Sequence, residues 1–260
     1  MEKHKGLLLE YLRGQLVNYF NYYKNVYSDT LPISIAGFKM NYSFSSDSIK
    51  NDLSSKPKEL EIITPNIMND DNKREVRNIN SLDQLKDAVE NCKLCELHKT
   101  RINTVFGSGS DRSKLVIIGE APGAEEDKTG LPFVGRSGKL LTKMLEAIGF
   151  SRDDVFICNV LKCRPPKNRD PKSDEIKQCS MYLDKQLEIL KPKYILALGR
   201  IAAKRILNKD LAMKDFRKEI HSYNNIPVMV TYHPSALLRN PKWKYDAWED
   251  LQSLKSNLNN

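Results

Sequence analysis

Four of the five cysteines are spaced as the ligands of a metal centre would be. Cys92 and Cys95 form a C-x2-C pair, whose two sulfurs can reach one metal from a single turn, and Cys163 and Cys179 flank a proline-rich turn and the start of a helical segment. A zinc ribbon usually adds a second C-x2-C pair, which this chain lacks, so the spacing suits a four-cysteine iron–sulfur site at least as well. Unrelated core thiols are the alternative. Cys158 lies within an apolar run, where a free cysteine is expected to be a small buried side chain.

A second set of reactive side chains follows four apolar runs in the later part of the chain. Glu120 comes after the first run in a Gly-Glu-Ala-Pro-Gly turn, Asn159 ends the second, Arg200 follows the third and His233 follows the fourth. If the runs are parallel strands, their carboxyl ends meet at one edge of the sheet, which is where α/β folds place their sites. Each residue singly could belong to an ordinary turn. Together, a carboxylate, an amide, a guanidinium and an imidazole at successive strand ends predict one site.

The apolar pattern predicts the elements that would position these side chains. From residue 81 onward, short apolar runs alternate with segments of helical spacing, which indicates a parallel sheet with helices on both faces. We therefore expect residues 81–260 to form a three-layer α/β sandwich, in which a four-stranded parallel sheet is flanked by helices. The predicted strands are 114–118, 155–161, 194–198 and 227–232, and the predicted helices are 137–148, 173–190, 200–207 and 242–254.

The first 80 residues have a different texture. Apolar residues at three- and four-residue spacing between 6 and 27 predict an amphipathic helix within an N-terminal extension, residues 1–40. Such a helix could dock on the main domain, bind a protein partner or rest on a membrane surface, and docking is favoured. Residues 41–80 are dominated by Ser, Asn, Asp, Lys and Glu. They contain too few apolar residues to offset the entropy of ordering the chain, so we expect a flexible, disordered linker.

Composition limits the compartment and the partners. The 260 residues are 40% hydrophobic, with a mean hydropathy of -0.53, and no apolar run approaches the ~20 residues that span a bilayer. No secretory signal is recognisable at the start, so we expect a cytoplasmic protein with no membrane span. The net charge is +9, and 31 Lys and Arg against 23 Asp and Glu lie after residue 80. This excess indicates either a polyanionic partner such as nucleic acid or a lysine-rich soluble surface.

Several specific motifs make the later part of the chain resemble the family 4 uracil-DNA glycosylases, the iron–sulfur branch of the uracil-DNA glycosylase superfamily. The match runs over residues 92–254. It consists, in order, of C-K-L-C, G-E-A-P-G-A-E-E-D-K-T-G-L-P-F-V-G-R-S-G, N-V-L-K-C-R-P-P-K-N-R-D-P, Cys179, A-L-G-R and H-P-S-A-L-L-R. The resemblance implies a four-stranded parallel sheet flanked by helices and a 4Fe-4S cluster held by Cys92, Cys95, Cys163 and Cys179. It leaves Cys158 outside the cluster.

The same resemblance implies an activity and a substrate. We expect a monomeric, monofunctional hydrolase that flips uracil out of single- or double-stranded DNA, cleaves its N-glycosidic bond and leaves an abasic site for base excision repair. By resemblance, Phe133 stacks on the flipped base, Asn159 pairs with the uracil edge, and His233 contacts the uracil O2 as negative charge develops there. Gly119 and Ala121 belong to the turn that holds the same region.

The residue that activates water is less directly implied. Ala121 stands where other uracil glycosylases carry an aspartate, and an alanine side chain can neither accept a proton nor orient water. Glu120 and Glu126 are the nearby carboxylates that match positions discussed for this branch. We expect Glu126 to act, assisted by Asn168. In the alternative interpretation, Glu120 shapes the loop through hydrogen bonds and Glu126 is solvated.

A further group of residues is expected to contact DNA. Leu237, Leu238 and Arg239 resemble the loop that enters the minor groove, where an apolar wedge fills the space left by the flipped nucleotide. Arg164, Arg200 and Lys162 lie near the same predicted rim and could meet phosphates, although each singly could be a plain surface charge.

One non-enzymatic alternative keeps the scaffold but not the chemistry. It is a catalytically inactive iron–sulfur DNA-binding or redox module. The joint presence of Phe133, Asn159 and His233 argues against it, because DNA binding alone requires none of that pocket. For the cluster we expect a structural role, since hydrolysis transfers no electron.

Overall fold

The computed structural model describes residues 70–259, and six strands in this part of the chain form one sheet. The strands are β1 (Ser108–Gly109), β2 (Leu115–Gly119), β3 (Phe156–Asn159), β4 (Tyr194–Leu198), β5 (His221–Tyr223) and β6 (Ile226–Thr231). Their order across the sheet is β1-β3-β2-β4-β6-β5. The four central strands β3, β2, β4 and β6 are parallel, whereas β1 and β5 pair antiparallel at the edges.

The predicted four-stranded parallel sheet is confirmed as the centre of this larger mixed sheet, and each predicted strand overlaps its observed counterpart. The two edge strands were not predicted. β1 has only two residues, which is too short for a periodic pattern to detect. β5 is joined to β6 by Asn224 and Asn225, whose φ angles of 48° and 65° form a tight hairpin turn. Asparagine tolerates this left-handed backbone, so the Asn-Asn pair was the available signal.

Helices cover both faces of the sheet. The α-helices are α1 (Asp70–Asn78), α2 (Leu82–Glu90), α3 (Ala124–Thr129), α4 (Arg136–Ala147), α5 (Ser173–Leu190), α6 (Arg200–Leu207), α7 (Met213–Phe216), α8 (Pro234–Arg239) and α9 (Lys244–Asn259). Three predicted helices agree with α4, α5 and α6 within one residue at each end. The fourth, 242–254, starts two residues early and ends five residues before α9 does.

Strand β2 shows why the molecule has three layers. Its side chains alternate between the two faces of the sheet. Val116 and Ile118 pack in one apolar cluster with residues of α2, α5 and α6. Leu115 and Ile117 pack in a second cluster with residues of α4 and α9. All five residues of β2 are buried, which is the expected pattern for a parallel strand covered on both sides.

The segment predicted to be a linker differs from the prediction at its end. Residues 70–78 form helix α1, in which Val76 is buried against the core. The buried Lys185 of α5 donates a 2.9 Å hydrogen bond to the carbonyl of Arg77. One apolar anchor and one partly buried hydrogen bond therefore hold a segment whose composition is highly polar. The predicted helix between 6 and 27, the extension 1–40 and the linker residues 41–69 lie outside the described residues.

Among residues 70–259, no helix has both the length and the apolar character needed to cross a membrane.

Candidate active site

The carboxyl ends of the central strands open into one cleft of about 640 Å³. Glu120 follows β2, Asn159 ends β3, Arg200 follows β4 and His233 follows β6, and all four line this cleft. The structure therefore brings together the four strand-end residues that sequence spacing selected. Phe133, from the loop between α3 and α4, joins them.

Asn159 holds an unused hydrogen-bond acceptor at the base of the cleft. Its side chain is buried, and its Oδ1 is the one buried side-chain polar atom without a hydrogen-bond partner in the part of the chain that the structure describes. Leaving such a group unpaired costs about 1–3 kcal/mol. A Cβ atom added to Gly119 would collide with Asn159 Oδ1 and with the ring of Phe133. The absence of a side chain at Gly119 is thus what lets these two groups come together.

Phe133 is held in an uncommon backbone conformation beside Asn159. Its φ of 53° lies in the left-handed region, which is strained for an aromatic residue. Arg152 stabilises this turn by donating hydrogen bonds of 2.7 Å and 3.1 Å to the carbonyls of Pro132 and Phe133. The ring is buried and lies 5.6 Å from the imidazole of His233, at an interplanar angle of 35°. The aromatic face is therefore fixed by its surroundings.

The hydrogen bonds of His233 define which ring nitrogen carries the proton. His233 precedes helix α8, and its Nδ1 accepts a 3.2 Å hydrogen bond from the backbone N–H of Ser235. The hydroxyl of Ser235 lies 2.8 Å from the same nitrogen. In the neutral ring the proton is therefore on Nε2. Burial, assisted by nearby Arg239, lowers the pKa of His233 to about 4. At neutral pH the residue is an uncharged N–H donor.

The surroundings of Glu126 differ from those of a free base or a solvated side chain, the two roles considered for it. Its carboxylate is buried. One oxygen accepts hydrogen bonds of 2.9 Å from the backbone N–H groups of Val134 and Gly135, and the other accepts a 3.1 Å bond from Gly123. Both oxygens are occupied in tying the α3 turn to the Phe133 loop. Glu126 is therefore neither a free base nor a solvated side chain, and it fits the role of a loop clamp.

Asn168, the predicted assistant of Glu126, makes no hydrogen bond to it. The Oδ1 of Asn168 accepts a 2.7 Å bond from Nε of Arg164, within a turn where both Lys167 and Asn168 have positive φ. Asn168 does line the cleft. Its side chain shapes the turn after the proline pair and restrains Arg164.

Glu120 is a cleft carboxylate that remains available. It is half-buried and lines the cleft, and its side chain has no hydrogen-bond partner among residues 70–259. Burial and the nearby carboxylate of Asp170 raise the pKa of Glu120 to about 7, against the opposing effect of Arg239. A group with this pKa can accept a proton near neutral pH. Asp170 also lines the cleft, and its contribution was not visible in the sequence.

The four cysteines of the predicted cluster all line a second cavity. Cys92, Cys95, Cys163 and Cys179 share it with apolar side chains, while Cys158 is buried within β3. Within residues 70–259, no three or more histidine, cysteine or acidic side chains are grouped so that they could hold a metal ion directly. A 4Fe-4S cluster needs a wider arrangement than a single ion does, because it spreads its four ligand sulfurs over four irons.

Two N–H donors point to sulfurs of this cavity. Nη1 of Arg101 lies 3.1 Å from Sγ of Cys163, and the backbone N–H of Lys162 lies 3.3 Å from Sγ of Cys179. Such donors stabilise the negative charge of a thiolate ligand. Four thiols, an apolar lining and N–H donors to sulfur are a donor set that fits an iron–sulfur cluster.

A family comparison agrees with this geometry. The model of the uracil DNA glycosylase superfamily matches residues 106–252, which include all the cleft residues described above. The chain belongs to the uracil-DNA glycosylase superfamily. Its similarity is strong to type-4 uracil-DNA glycosylases. The sequence is 44% identical to the type-4 enzyme of Sulfurisphaera tokodaii over 186 residues, which cover 68% of this chain and 84% of that protein.

Two further type-4 relatives show similar values. The Archaeoglobus fulgidus protein is 43% identical over 182 residues, or 67% of this chain and 92% of its own length. The Saccharolobus solfataricus protein is 43% identical over 189 residues, or 69% of this chain and 88% of its own length.

In this member of the superfamily, the residues predicted to contact DNA fall into two groups. Leu238 is 39% exposed, and Arg239 and Arg200 line the cleft. Leu237 is only 1% exposed and packs in the apolar cluster beneath α4 and α9. Leu237 therefore does not reach the surface where DNA would bind, whereas Leu238 does, because neighbouring residues of helix α8 project about 100° apart.

Lys162 was also wrongly predicted to lie at the rim of the glycosylase cleft. It is 1% exposed, and its ammonium group donates hydrogen bonds to the Asn159 carbonyl and the Gln186 side chain. From sequence alone, a lysine just before a Cys-Arg-Pro-Pro turn is expected to lie on the surface. Only the packing of α5 against this loop reveals that it is internal.

Proposed function

We propose that this protein is a uracil-DNA glycosylase that flips uracil out of DNA and hydrolyses its N-glycosidic bond. The products are free uracil and an abasic site, the intermediate of base excision repair. The observation that carries this proposal is the unpartnered Oδ1 of Asn159, buried beside the Phe133 ring in the cleft. A donor from a bound base would remove the cost of that unpaired acceptor.

Recognition of uracil follows from the chemistry of Asn159. Its Oδ1 can accept from the ring N3–H of uracil while its amide N–H donates to the O4 carbonyl. Cytosine has no N3–H and carries an amino group in place of O4, so it would leave buried polar groups unpaired. The face of Phe133 stacks on any flipped base and adds affinity without discrimination.

His233 is suited to stabilise the departing base. Bond cleavage leaves negative charge on uracil and positive charge on the sugar. The Nε2–H of His233 has no hydrogen-bond partner in residues 70–259 and belongs to a ring that is neutral at pH 7. We assign to it donation of a hydrogen bond to the uracil O2, which strengthens as charge develops on that oxygen.

We assign the activation of water to Glu120 rather than to Glu126. Glu120 combines an unpartnered carboxylate, a place in the cleft and a pKa of about 7. Glu126 has both oxygens occupied by backbone N–H groups. Its contribution is to hold the loop that carries Phe133. Ala121 also lines the cleft. Its small side chain leaves space in the cleft and takes no part in proton transfer.

The lining of the cysteine cavity supports the proposal of a 4Fe-4S cluster held by Cys92, Cys95, Cys163 and Cys179. When bound, such a cluster would supply four iron–sulfur bonds that connect separate parts of the chain. It would transfer no electron, since hydrolysis involves no change of oxidation state. These cysteines would link the turn after α2, which carries Cys92 and Cys95, to Cys163 in the loop after β3 and to Cys179 in α5. That loop leads directly to Asn159, so the cluster would stabilise the recognition strand.

The remaining assignments concern the setting of the reaction. We propose a cytoplasmic monomer acting on uracil in single- or double-stranded DNA, with Leu238, Arg239, Arg200 and Arg164 contacting the strand. For residues 1–40, docking on the main domain or binding of a protein partner stays a prediction.

A direct assay tests the proposed activity. Anaerobically purified protein would be incubated with matched oligonucleotides containing uracil or thymine, and abasic sites would then be cleaved with alkali. We expect cleavage only at uracil, and a loss of at least 100-fold for Asn159→Ala, because the buried amide supplies the discriminating hydrogen bonds. Protein with the visible absorbance of an iron–sulfur cluster but without uracil-dependent cleavage would overturn the proposal in favour of a DNA-binding or redox module.

A further inference from the structure

Trp243 forms part of the cleft wall but has no role in the chemistry described above. It ends a short 3-10 turn, Pro241–Trp243, between helices α8 and α9. It lines the same cleft as Asn159, Phe133 and His233 and is 39% exposed. A large aromatic side chain at the open edge of a polar cleft is available to a ligand rather than to the core.

Packing behind the indole holds it in place. The ring of Tyr232 stacks on Trp243 with a centroid separation of 4.9 Å and an interplanar angle of 17°. The guanidinium carbon of Arg217 lies 4.6 Å from the centroid of the Tyr232 ring. Arg217 is itself anchored by a 2.7 Å ion pair with Asp250 of α9. Because this stack already restrains the indole, binding a further ring on it would require little additional ordering.

The surroundings of Trp243 indicate the chemistry of that ligand. Arg200 and Arg239 line the same cleft and are exposed, so an anionic chain is favoured there. In the proposed function the flipped uracil contacts Phe133 and Asn159, so the strand that carries it would continue over the cleft edge, where Trp243 lies. Cationic and aromatic side chains that share one groove are typical of single-stranded nucleic-acid binding.

We propose that Trp243 is a stacking platform for a nucleobase of the DNA strand next to the flipped uridine. This inference rests on the proposed function. The contact holds an adjacent base outside the duplex stack without reading its identity, because every base offers a π-face. It therefore assigns Trp243 to binding of the strand, not to cleavage of the glycosidic bond.

The chain contains two tryptophans, Trp243 and Trp248, which makes fluorescence a direct probe. Trp248→Phe leaves Trp243 as the one tryptophan, and Trp243→Phe leaves Trp248, which is similarly exposed at 42% but does not line the cleft. Each variant would be titrated with a single-stranded oligonucleotide carrying a non-cleavable abasic analogue. We expect stacking to quench Trp243 emission by at least half at saturation, with little change for Trp248. Equal responses of the two tryptophans, or no quenching of Trp243, would overturn the inference.

A kinetic comparison provides the second measurement. We expect Trp243→Ala to raise KM for uracil-containing DNA roughly tenfold, with kcat and the salt dependence of binding unchanged because no charge is lost. Trp243→Phe should recover part of the affinity, and Trp248→Ala should behave like the parent protein. A fall in kcat without a change in KM would contradict a binding role.

Measuring both fluorescence quenching and uracil release distinguishes a failure of the stacking platform from a failure of the proposed function. Uracil release by Trp248→Phe without quenching of Trp243 would reject the stacking platform alone. Quenching of Trp243 without uracil release by any variant would reject the glycosylase activity while leaving nucleobase stacking in place.

Discussion

The ammonium group of Lys162 donates a 2.8 Å hydrogen bond to the backbone carbonyl of Asn159, entirely inside the protein. The same nitrogen lies 2.5 Å from Oε1 of Gln186 in α5, and the backbone N–H of Lys162 points to Sγ of Cys179. One buried residue thus connects the cysteine cavity, helix α5 and the recognition asparagine.

Lys162→Met tests this connection. The substitution removes the donor but keeps most of the side-chain volume, so the Asn159 carbonyl and the Gln186 oxygen lose a partner. We expect a loss of about 1–3 kcal/mol in the free energy of unfolding and a fall of more than tenfold in uracil excision. Lys185→Met is the matched control, since Lys185 is also buried but contacts Arg77 and Glu188 away from the cleft. Equal stability losses with full activity in both variants would show that Lys162 is merely structural.

The raised pKa of Glu120 predicts a pH profile. A general base acts in its ionised form, so the single-turnover rate should rise with pH through about 7 and level off above it. His233, whose pKa is lowered to about 4, stays neutral over this range and adds no second limb. Glu120→Gln should abolish the limb and lower the plateau by about 10²-fold or more.

Glu126→Gln is the discriminating comparison for that profile. Its amide would place an N–H group against backbone donors, so we expect a reduced melting temperature with the pH limb retained. If Glu126→Gln removes the limb and Glu120→Gln does not, the assignment of the base is reversed.

Gly119→Ala tests how closely the cleft is packed. The added methyl would meet Asn159 Oδ1 and the ring of Phe133 well inside van der Waals contact. We expect uracil excision to fall at least 100-fold, since displacements of about 1 Å at a reacting site have effects of that size. Gly135→Ala is a suitable control, because its Cβ would meet its nearest neighbour, Glu126, at an ordinary 3.4 Å. Parallel assays of excision and thermal unfolding would separate the two effects, and unchanged excision by Gly119→Ala would contradict the geometry.

The assignment of the cysteines predicts the iron content of two variants. Cys163→Ser should lose most of the bound iron and the visible absorbance, because Cys163 lines the cavity with the other three thiols. Cys158→Ala should retain both and lower the free energy of unfolding by about 1 kcal/mol, as expected for a small deletion in a packed strand. Iron analysis of both variants checks the assignment, and iron loss from Cys158→Ala would refute it.

The sequence by itself determined the sheet centre and the rim of the site. The central strands are continuous apolar runs, and the helices between them repeat with helical period, so both patterns are local and readable. The positions of Glu120, Asn159, Arg200 and His233 at strand ends then follow from parallel topology. The spacing of the cysteines likewise separated Cys158 from the other four.

Only the tertiary structure decided which of these side chains are free to act. Glu120 and Glu126 have the same chemistry, but three backbone N–H groups converge on Glu126 while burial and Asp170 act on Glu120. Leu237 and Lys162 are internal because neighbouring helices cover them. The proton affinity and exposure of a side chain depend on groups distant in sequence, so no local pattern contains them.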